Sequence, residues 1–139
     1  EDKKRIRITQ KLLNESSQAL GVMCTPNLNC DAQAVLIKER SNFIAKRIQA
    51  ASLQVQSIEL AYQSTYKAEI LYSLPATFMT RGVCVKIQAA ATRTFLAMKV
   101  FNPNLPRIMG YSPKEIGGHG LMRIHTKQGT EGTLMLLNT

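Results

Sequence analysis

Near the N-terminus, apolar and polar residues alternate with a period of two. Residues 5–10 read Arg-Ile-Arg-Ile-Thr-Gln, a pattern typical of a half-buried strand. Residues 14–17 have turn-forming side chains, and the apolar residues within 18–24 indicate a returning strand. The sequence therefore predicts a β-hairpin within residues 1–24. Because two strands alone are marginally stable, we expect this hairpin to pack on a helix or on further chain.

After a loop at residues 25–29, apolar residues recur at intervals of three and four, which predicts helices. Each of the first three helices follows a residue that can cap its N-terminus: 32–51 after Asp31, 53–72 after Ser52 and 81–99 after Thr80. The residues predicted to face the core are Ile37, Ile44, Ile48 and Ala51 in the first helix, Ile58, Ala61, Tyr62, Thr65, Ala68 and Tyr72 in the second, and Val83, Ile87, Ala90, Ala91, Thr94 and Met98 in the third. A weaker pattern over 127–137 predicts a final helix. The expected fold is mainly α (α+β), with an N-terminal β-hairpin, a three-helix bundle and a C-terminal helix.

A segment rich in Pro, Gly and Asn, residues 100–120, separates the third helix from the last. Gly117, Gly118 and Gly120 fall close together in it, and an apolar segment, 121–124, follows them. Such a run marks a tight turn or a close approach of two backbones, because glycine adopts positive φ at little steric cost. A structural turn is the first interpretation. A ligand contact is the second, since backbone N–H groups in a glycine turn can cradle an anion.

The charge of the chain is strongly basic. Among 139 residues there are 18 Lys and Arg against 9 Asp and Glu, a net charge of +9. The basic residues are spread along the chain, which favours a folded basic surface over a disordered arm. A partner that carries phosphates is the first hypothesis, and an acidic protein or an anionic membrane surface would fit the charge as well. No apolar run approaches the roughly 20 residues of a membrane-spanning helix.

Sequence patterns that would indicate catalysis are absent. The two aspartates, Asp2 and Asp31, are far apart, so no carboxylate cluster could hold two metal ions. Three cysteines without a C-x-x-C pair argue against a disulfide framework or a zinc site and favour a reducing compartment. Cys84 is expected to be a small core residue, and a catalytic dyad with His119 or His125 has no local support.

Four short motifs, in this order and spacing, resemble the C-terminal part of the reverse transcriptases of non-LTR (LINE-like) retrotransposons. They are Ala19-Leu20-Gly21-Val22, Tyr72-Ser73-Leu74-Pro75, Ile87-Gln88 with Phe95-Leu96, and the run P-K-E-I-G-G-H-G-L from Pro113 to Leu121. In that family the first forms the primer-grip hairpin and the others lie in the helical thumb. The resemblance covers nearly all of residues 18–128. The catalytic Y-x-D-D element of the family is not in this chain and is expected upstream of Glu1.

The resemblance implies that two parts of the chain have different roles. Residues 1–24 would be a primer-grip-like hairpin, with Leu20 and Gly21 at the grip, and residues 25–139 a helical thumb-like domain. The thumb would hold an RNA/DNA duplex, while the upstream palm and fingers of the same polyprotein would perform catalysis with Mg²⁺. No cofactor is expected in this chain itself. We expect the protein inside the cell, in the nucleus or cytoplasm, with no membrane partner.

A thumb must hold any template, so the contacts are expected to come from Lys and Arg to the duplex backbone. The residues expected to make them are Lys38, Arg40, Lys46, Arg47, Lys86, Arg93, Lys99, Arg107, Lys114 and Arg123. Lys86 and Arg93 are seven residues apart and therefore share one face of the third helix. Ala89 and Ala90 lie beside them, and such small residues would allow close approach to a groove.

Overall fold

The structure, a computed structural model, describes residues 12, 15–102 and 104–138. This part of the chain is mainly helical, with a two-stranded antiparallel hairpin ahead of the helices, as the sequence predicts. The strands are β1 (Ser17–Ala19) and β2 (Val22–Cys24). The helices are α1 (Asp31–Ala50), α2 (Val55–Ala61), α3 (Ala68–Ser73), α4 (Arg81–Met98), α5 (Arg107–Tyr111) and α6 (Ile124–Leu137). A π-helical segment, Tyr62–Lys67, joins α2 directly to α3.

The hairpin reverses inside the segment that was predicted to be a single strand. Leu20 and Gly21 have φ angles of 49° and 82°, which form a tight turn between β1 and β2. The prediction of one strand over 18–24 is therefore wrong, since alternation does not reveal a two-residue turn. The predicted first strand, residues 5–10, lies outside the described residues.

The hairpin packs on the helices, as predicted. The Met23 N–H donates to Gln33 Oε1 of α1 at 2.6 Å, and Val22 is buried. The Tyr72 hydroxyl of α3 donates to the Leu20 carbonyl at 2.7 Å. These contacts attach β2 and the turn to the helical body, and β1 is held through its pairing with β2.

The helix starts differ from the prediction at two of the three proposed caps. Cys30 occupies the N-cap of α1, and Asp31 is the first helical residue. Gln54 occupies the N-cap of α2, because Ser52 has a φ of 47° and belongs to the turn between the helices. Thr80 does occupy the N-cap of α4, although its side chain makes no capping hydrogen bond.

The π-helical segment changes which residues of the second helical stretch face the core. Ile58, Tyr62, Tyr66 and Ile70, each four residues apart, are all at most 3% exposed. Hydrogen bonds in a π-helix span five residues rather than four, so the turn is wider. The predicted core positions Thr65, Ala68 and Tyr72 are exposed for this reason, and that part of the prediction is wrong.

An aromatic cluster forms the centre of the core. Tyr62 stacks on Tyr66 with ring centroids 5.3 Å apart, and both meet the Phe95 ring of α4 edge-on, at 4.8 and 5.0 Å. The buried hydroxyl groups are satisfied: the Tyr66 hydroxyl pairs with Ser41 Oγ at 3.0 Å, and the Tyr62 hydroxyl accepts the Met122 N–H at 2.7 Å. Burial raises the pKa of Tyr66 to about 12 and also raises that of Tyr62, so both remain protonated.

Helix α4 packs against both α1 and α6, so its buried stripe is wider than the predicted one. Ile87 and Ala91 are buried as predicted, together with Cys84 and Phe95 on the adjoining side. Ala90, which was predicted to face the core, is exposed.

The connector is more ordered than its Pro and Gly content predicts. Residues 100–120 contain α5 and a 3₁₀ turn, Lys114–Ile116. Gly117 and Gly120 have φ angles of 80° and 62°. Gly118 lies so close to Ser112 that an added Cβ would be 2.1 Å from the Ser112 carbonyl oxygen. The glycine turn, residues 117–120, leads into α6, which begins at Ile124, three residues before the predicted start.

Candidate nucleic-acid interface

One face of α4 is open to solvent and carries two of the predicted cations. Lys86, Ala90 and Arg93 are exposed there, and Ala89 is half-buried beside them. The seven-residue spacing from Lys86 to Arg93 brings both onto this face, because it is close to two helical turns. The face therefore presents positive charge around small side chains.

A cavity of about 400 Å³ lies beside this face, where α4, α5 and the start of α6 meet. We call it the first cavity. Arginines from all three places line it: Arg81 at the start of α4, Arg107 at the start of α5 and Arg123 at the N-cap of α6. Its other lining residues are Cys84, Val85, Gln88, Tyr111, His125 and Thr126.

A second cavity of about 320 Å³ adjoins the first along α4. The two share Val85, Arg107 and Tyr111, and Arg93 lines the second. Arg81, Arg93, Arg107 and Arg123 thus surround a concave surface, which we call the arginine cleft. None of the four lies within 4.0 Å of a carboxylate in the part of the chain that the structure describes.

Hydrogen bonds and a cation–π contact fix the floor of the arginine cleft. The Gln88 amide donates to the Tyr111 hydroxyl, and Gln88 Oε1 accepts the Ile124 N–H at 2.9 Å. The Arg123 guanidinium lies over the Tyr111 ring, 5.0 Å from its centroid. Gln88 therefore ties α4, α5 and α6 together at the point where the arginines converge.

Three other predicted cations are paired with two carboxylates within the fold. Glu59 of α2 accepts hydrogen bonds from Lys99, at the end of α4, and from Lys114 in the connector, the latter at 2.8 Å. Burial raises the pKa of Glu59, but the hydrogen bonds from these two lysines and from Gln63 outweigh burial and lower it to about 2. Arg40 pairs with Glu69 of α3 at 2.8 Å.

The remaining cations of α1 line neither cavity of the arginine cleft. Lys38 and Lys46 are exposed, and the Arg47 guanidinium lies 5.5 Å from the centroid of the Phe43 ring on its own helix. The structure therefore brings together Arg93, Arg107 and Arg123 of the ten predicted residues, with Lys86 on the adjoining face.

The backbone of the glycine turn is occupied by its own hydrogen bonds. The N–H groups of Gly117, Gly118 and Gly120 donate to the carbonyls of Lys114, Pro113 and Ser112, at 3.0, 2.9 and 2.9 Å respectively, and the His119 N–H donates to Met109 at 3.0 Å. With these donors used, the turn has no open anion cradle, and the interpretation as a ligand-binding nest is wrong.

Cys84 lies at the base of the first cavity, which His125 also lines. Its side chain is 1% exposed, and burial raises the pKa of the thiol. The thiol directs its proton towards the Met79 carbonyl, with a sulfur–oxygen distance of 3.9 Å. Because a nucleophilic cysteine needs a lowered pKa, this environment suits the core residue that the sequence predicts.

Leu20 and Gly21, the primer-grip-like residues, lie at the tip of the hairpin. The Leu20 side chain is 91% exposed, while its carbonyl is held by Tyr72. The Tyr72 ring lies beneath Gly21, 3.5 Å from where a Cβ would be. The tip is thus a fixed projection with an apolar side chain at its end.

Arg81, Gln88, Tyr111 and His125 line the arginine cleft, although the sequence did not predict them as binding residues. A signal for the first two was present, because Arg81, Val85, Gln88 and Thr92 follow one another at helical spacings of four, three and four. Tyr111 and His125 reach the cavity beside α4 only because of the path of the connector, and the local sequence has no comparable signal for that path.

No family model matches this sequence, and neither a curated protein nor a solved structure is found to be similar to it. Among the described helices, none combines the length and apolar character that crossing a bilayer requires. The same described residues contain no group of three or more His, Cys, Asp or Glu side chains arranged to hold a metal ion.

Proposed function

We propose that this chain binds nucleic-acid duplexes through their sugar-phosphate backbone, as the thumb-like part of a reverse transcriptase. The observation that carries the proposal is the arginine cleft: four guanidinium groups around one concave surface, with no carboxylate partner among the described residues. Elsewhere in the fold, Arg40, Lys99 and Lys114 are paired with carboxylates. The arginines of the cleft have no such partner in the described part of the chain and are therefore available for an external anion.

The arrangement suits a backbone rather than base edges. Guanidinium groups donate two parallel hydrogen bonds to a phosphate, and such contacts carry no sequence information. Ala89 and Ala90, between Lys86 and Arg93, leave room for the minor groove of an RNA-containing duplex. In this proposal the hairpin tip at Leu20 contacts the primer strand, and the exposed face of α4 follows the duplex.

The assignment to a reverse transcriptase rests on the motif resemblance. The catalytic carboxylates and the Mg²⁺ ions would belong to the palm of the parent polyprotein, with which this chain would assemble inside the cell. We expect no polymerase activity from the chain alone.

The salt dependence of binding tests the proposal. Contacts from Lys86 and the four arginines of the cleft predict a slope of about −4.5 when the logarithm of the duplex association constant is plotted against that of the salt concentration. Fluorescence anisotropy with an RNA/DNA hybrid measures it. Arg93→Gln with Arg107→Gln should reduce the magnitude of the slope by about two, because each substitution removes one phosphate contact.

A matched control separates the cleft from general basicity. Lys38→Gln with Lys46→Gln removes the same charge from α1, away from both cavities, and should leave the slope unchanged. A flat salt response of the original chain would refute duplex binding. If the cleft variants keep duplex affinity but lose binding to an acidic protein or to anionic vesicles, the alternative of an acidic partner replaces the proposal.

A further inference from the structure

The first cavity differs from the rest of the basic surface in how its positive groups are arranged. Lys86 and Arg93 lie along an open helix face, whereas Arg81, Arg107 and Arg123 enter the cavity from three separate elements. Each guanidinium can donate two hydrogen bonds in a planar fork. Three forks around one cavity offer more charge than the single negative charge of an internal phosphodiester.

The N-terminus of α6 adds backbone donors to the same cavity. The first N–H groups of a helix have no acceptor within the helix. At α6 the Ile124 N–H is taken by Gln88, and the Lys127 N–H donates to the Arg123 carbonyl. His125 and Thr126 also line the cavity, and their N–H groups find no acceptor within the described chain. The helix dipole of this 14-residue helix favours an anion at the same place.

A terminal phosphate fits this combination better than an internal one. A phosphomonoester carries about −1.5 to −2 charges near neutral pH and three acceptor oxygens, so it can use several forks and the helix N–H groups together. It has one covalent connection, which suits a cavity whose floor is closed by Gln88 and Tyr111. The volume of about 400 Å³ falls within the usual range of small-ligand sites, so a terminal nucleotide can enter with its phosphate.

We propose that the first cavity binds a phosphomonoester dianion, the terminal phosphate of a nucleic-acid strand, by Arg81, Arg107, Arg123 and the N-terminus of α6. That the phosphate belongs to a nucleic-acid strand rests on the proposed function, whereas the binding of the dianion itself rests on the residues of the cavity alone. An internal phosphate of a bound duplex can occupy the same cavity, but more weakly, so the cavity adds a preference for a strand end to the general binding of the duplex backbone.

The test compares hairpin duplexes that differ only at their single end. Three versions of one hairpin carry a 5′-phosphate, a 3′-phosphate or hydroxyl groups, and anisotropy measures their affinities at fixed salt. We expect one phosphorylated hairpin to bind about tenfold more tightly than the hydroxyl form, because the additional contacts are hydrogen bonds between charged groups. Arg81→Gln should remove this preference, whereas Lys46→Gln, with the same loss of charge, should retain it.

A second measurement keeps the inference testable if Arg81→Gln does not fold. Titration of the unmodified protein with inorganic phosphate, followed by NMR, should shift the backbone amide resonances of His125 and Thr126 before those of the glycine turn. Shifts without preference for a phosphorylated end would assign the cavity to free phosphate and overturn the strand-end inference.

The two proposals fail in different ways. Equal affinity for all three hairpins, together with unmoved His125 and Thr126 amides, overturns the inference while duplex binding stands. Absence of binding to every hairpin refutes the proposed function, and the phosphate titration then decides on the dianion site by itself.

Discussion

Glu59 joins three parts of the fold, and its removal makes a quantitative prediction. The carboxylate lies on α2 and pairs with Lys99 at the end of α4 and with Lys114 in the connector. The Lys99 side chain is 7% exposed, so an uncharged residue at position 59 would leave a nearly buried ammonium group without its partner. Glu59→Gln retains the size of the side chain and removes the charge.

The lowered pKa of Glu59 gives the size of the stability loss expected for Glu59→Gln. Its lowering from 4.5 to about 2 corresponds to an upper limit of about 3 kcal/mol of folding free energy, at about 1.4 kcal/mol per pKa unit. The Lys114 side chain is half-exposed, so solvent screening weakens that pair. We therefore expect Glu59→Gln to lower the free energy of unfolding by about 2 kcal/mol at pH 7.

The sign of the pH dependence follows from the lowered pKa. Folding favours the charged carboxylate, so its contribution is complete above pH 4.5 and is lost as the pH falls towards 2. The difference between the original chain and Glu59→Gln should therefore shrink to roughly half or less at pH 3. Urea denaturation followed by circular dichroism at pH 7 and at pH 3 measures both values.

The control for Glu59 is another carboxylate with one cationic partner. Glu69 pairs with Arg40, and both side chains are more than a third exposed. Glu69→Gln should cost about 0.5 kcal/mol at pH 7, because exposed ion pairs contribute little. If Glu59→Gln costs no more than Glu69→Gln, or costs the same at both pH values, the reasoning about the shared carboxylate is refuted.

Two further predictions concern stability and are measured by chemical denaturation. Gly118→Ala should destabilise the fold by about 3 kcal/mol, because its Cβ would meet the Ser112 carbonyl oxygen; Gly82→Ala, where an added Cβ meets nothing within 4 Å, should not, and equal effects would contradict the packing argument. Tyr62→Phe should cost about 2 kcal/mol, since it leaves the buried Met122 N–H without an acceptor; a neutral effect would show that the bond is dispensable.

The helices were predictable because their apolar residues recur with a helical period over long stretches. The predicted spans of 81–99 and 32–51 differ from α4 and α1 by one residue at most at either end. Faces were less predictable than spans. Ala90 is exposed because the buried stripe of α4 lies further towards Gln88 and Phe95 than its apolar pattern indicates. Thr65 is exposed because the π-helical turn is not visible in residue types.

The candidate site was predictable in its charge and not in its geometry. The sequence shows that residues such as Arg93 and Arg107 are basic, but whether a cation is available depends on its partner in the fold. Lys99 lies 40 residues from Glu59, and Lys114 is further still, so no local pattern reveals that one carboxylate holds both. For the same reason, the sequence does not predict that Arg81 and Arg123 line one cavity, because their proximity depends on the path of the connector.

The π-helical segment has a consequence for the length of the chain. In a regular α-helix, residues four apart drift by about 40° per step, and the three steps from Ile58 to Ile70 would accumulate about 120°. The wider turn cancels this drift, which means that the helix accommodates one surplus residue. Loss of an exposed position such as Ser64 would restore spacings of four, three and four without rotating either half away from Phe95. This helix can therefore lose one residue within the π-helical segment and keep both buried faces on the core. A deletion elsewhere along the helix would turn one buried face towards solvent.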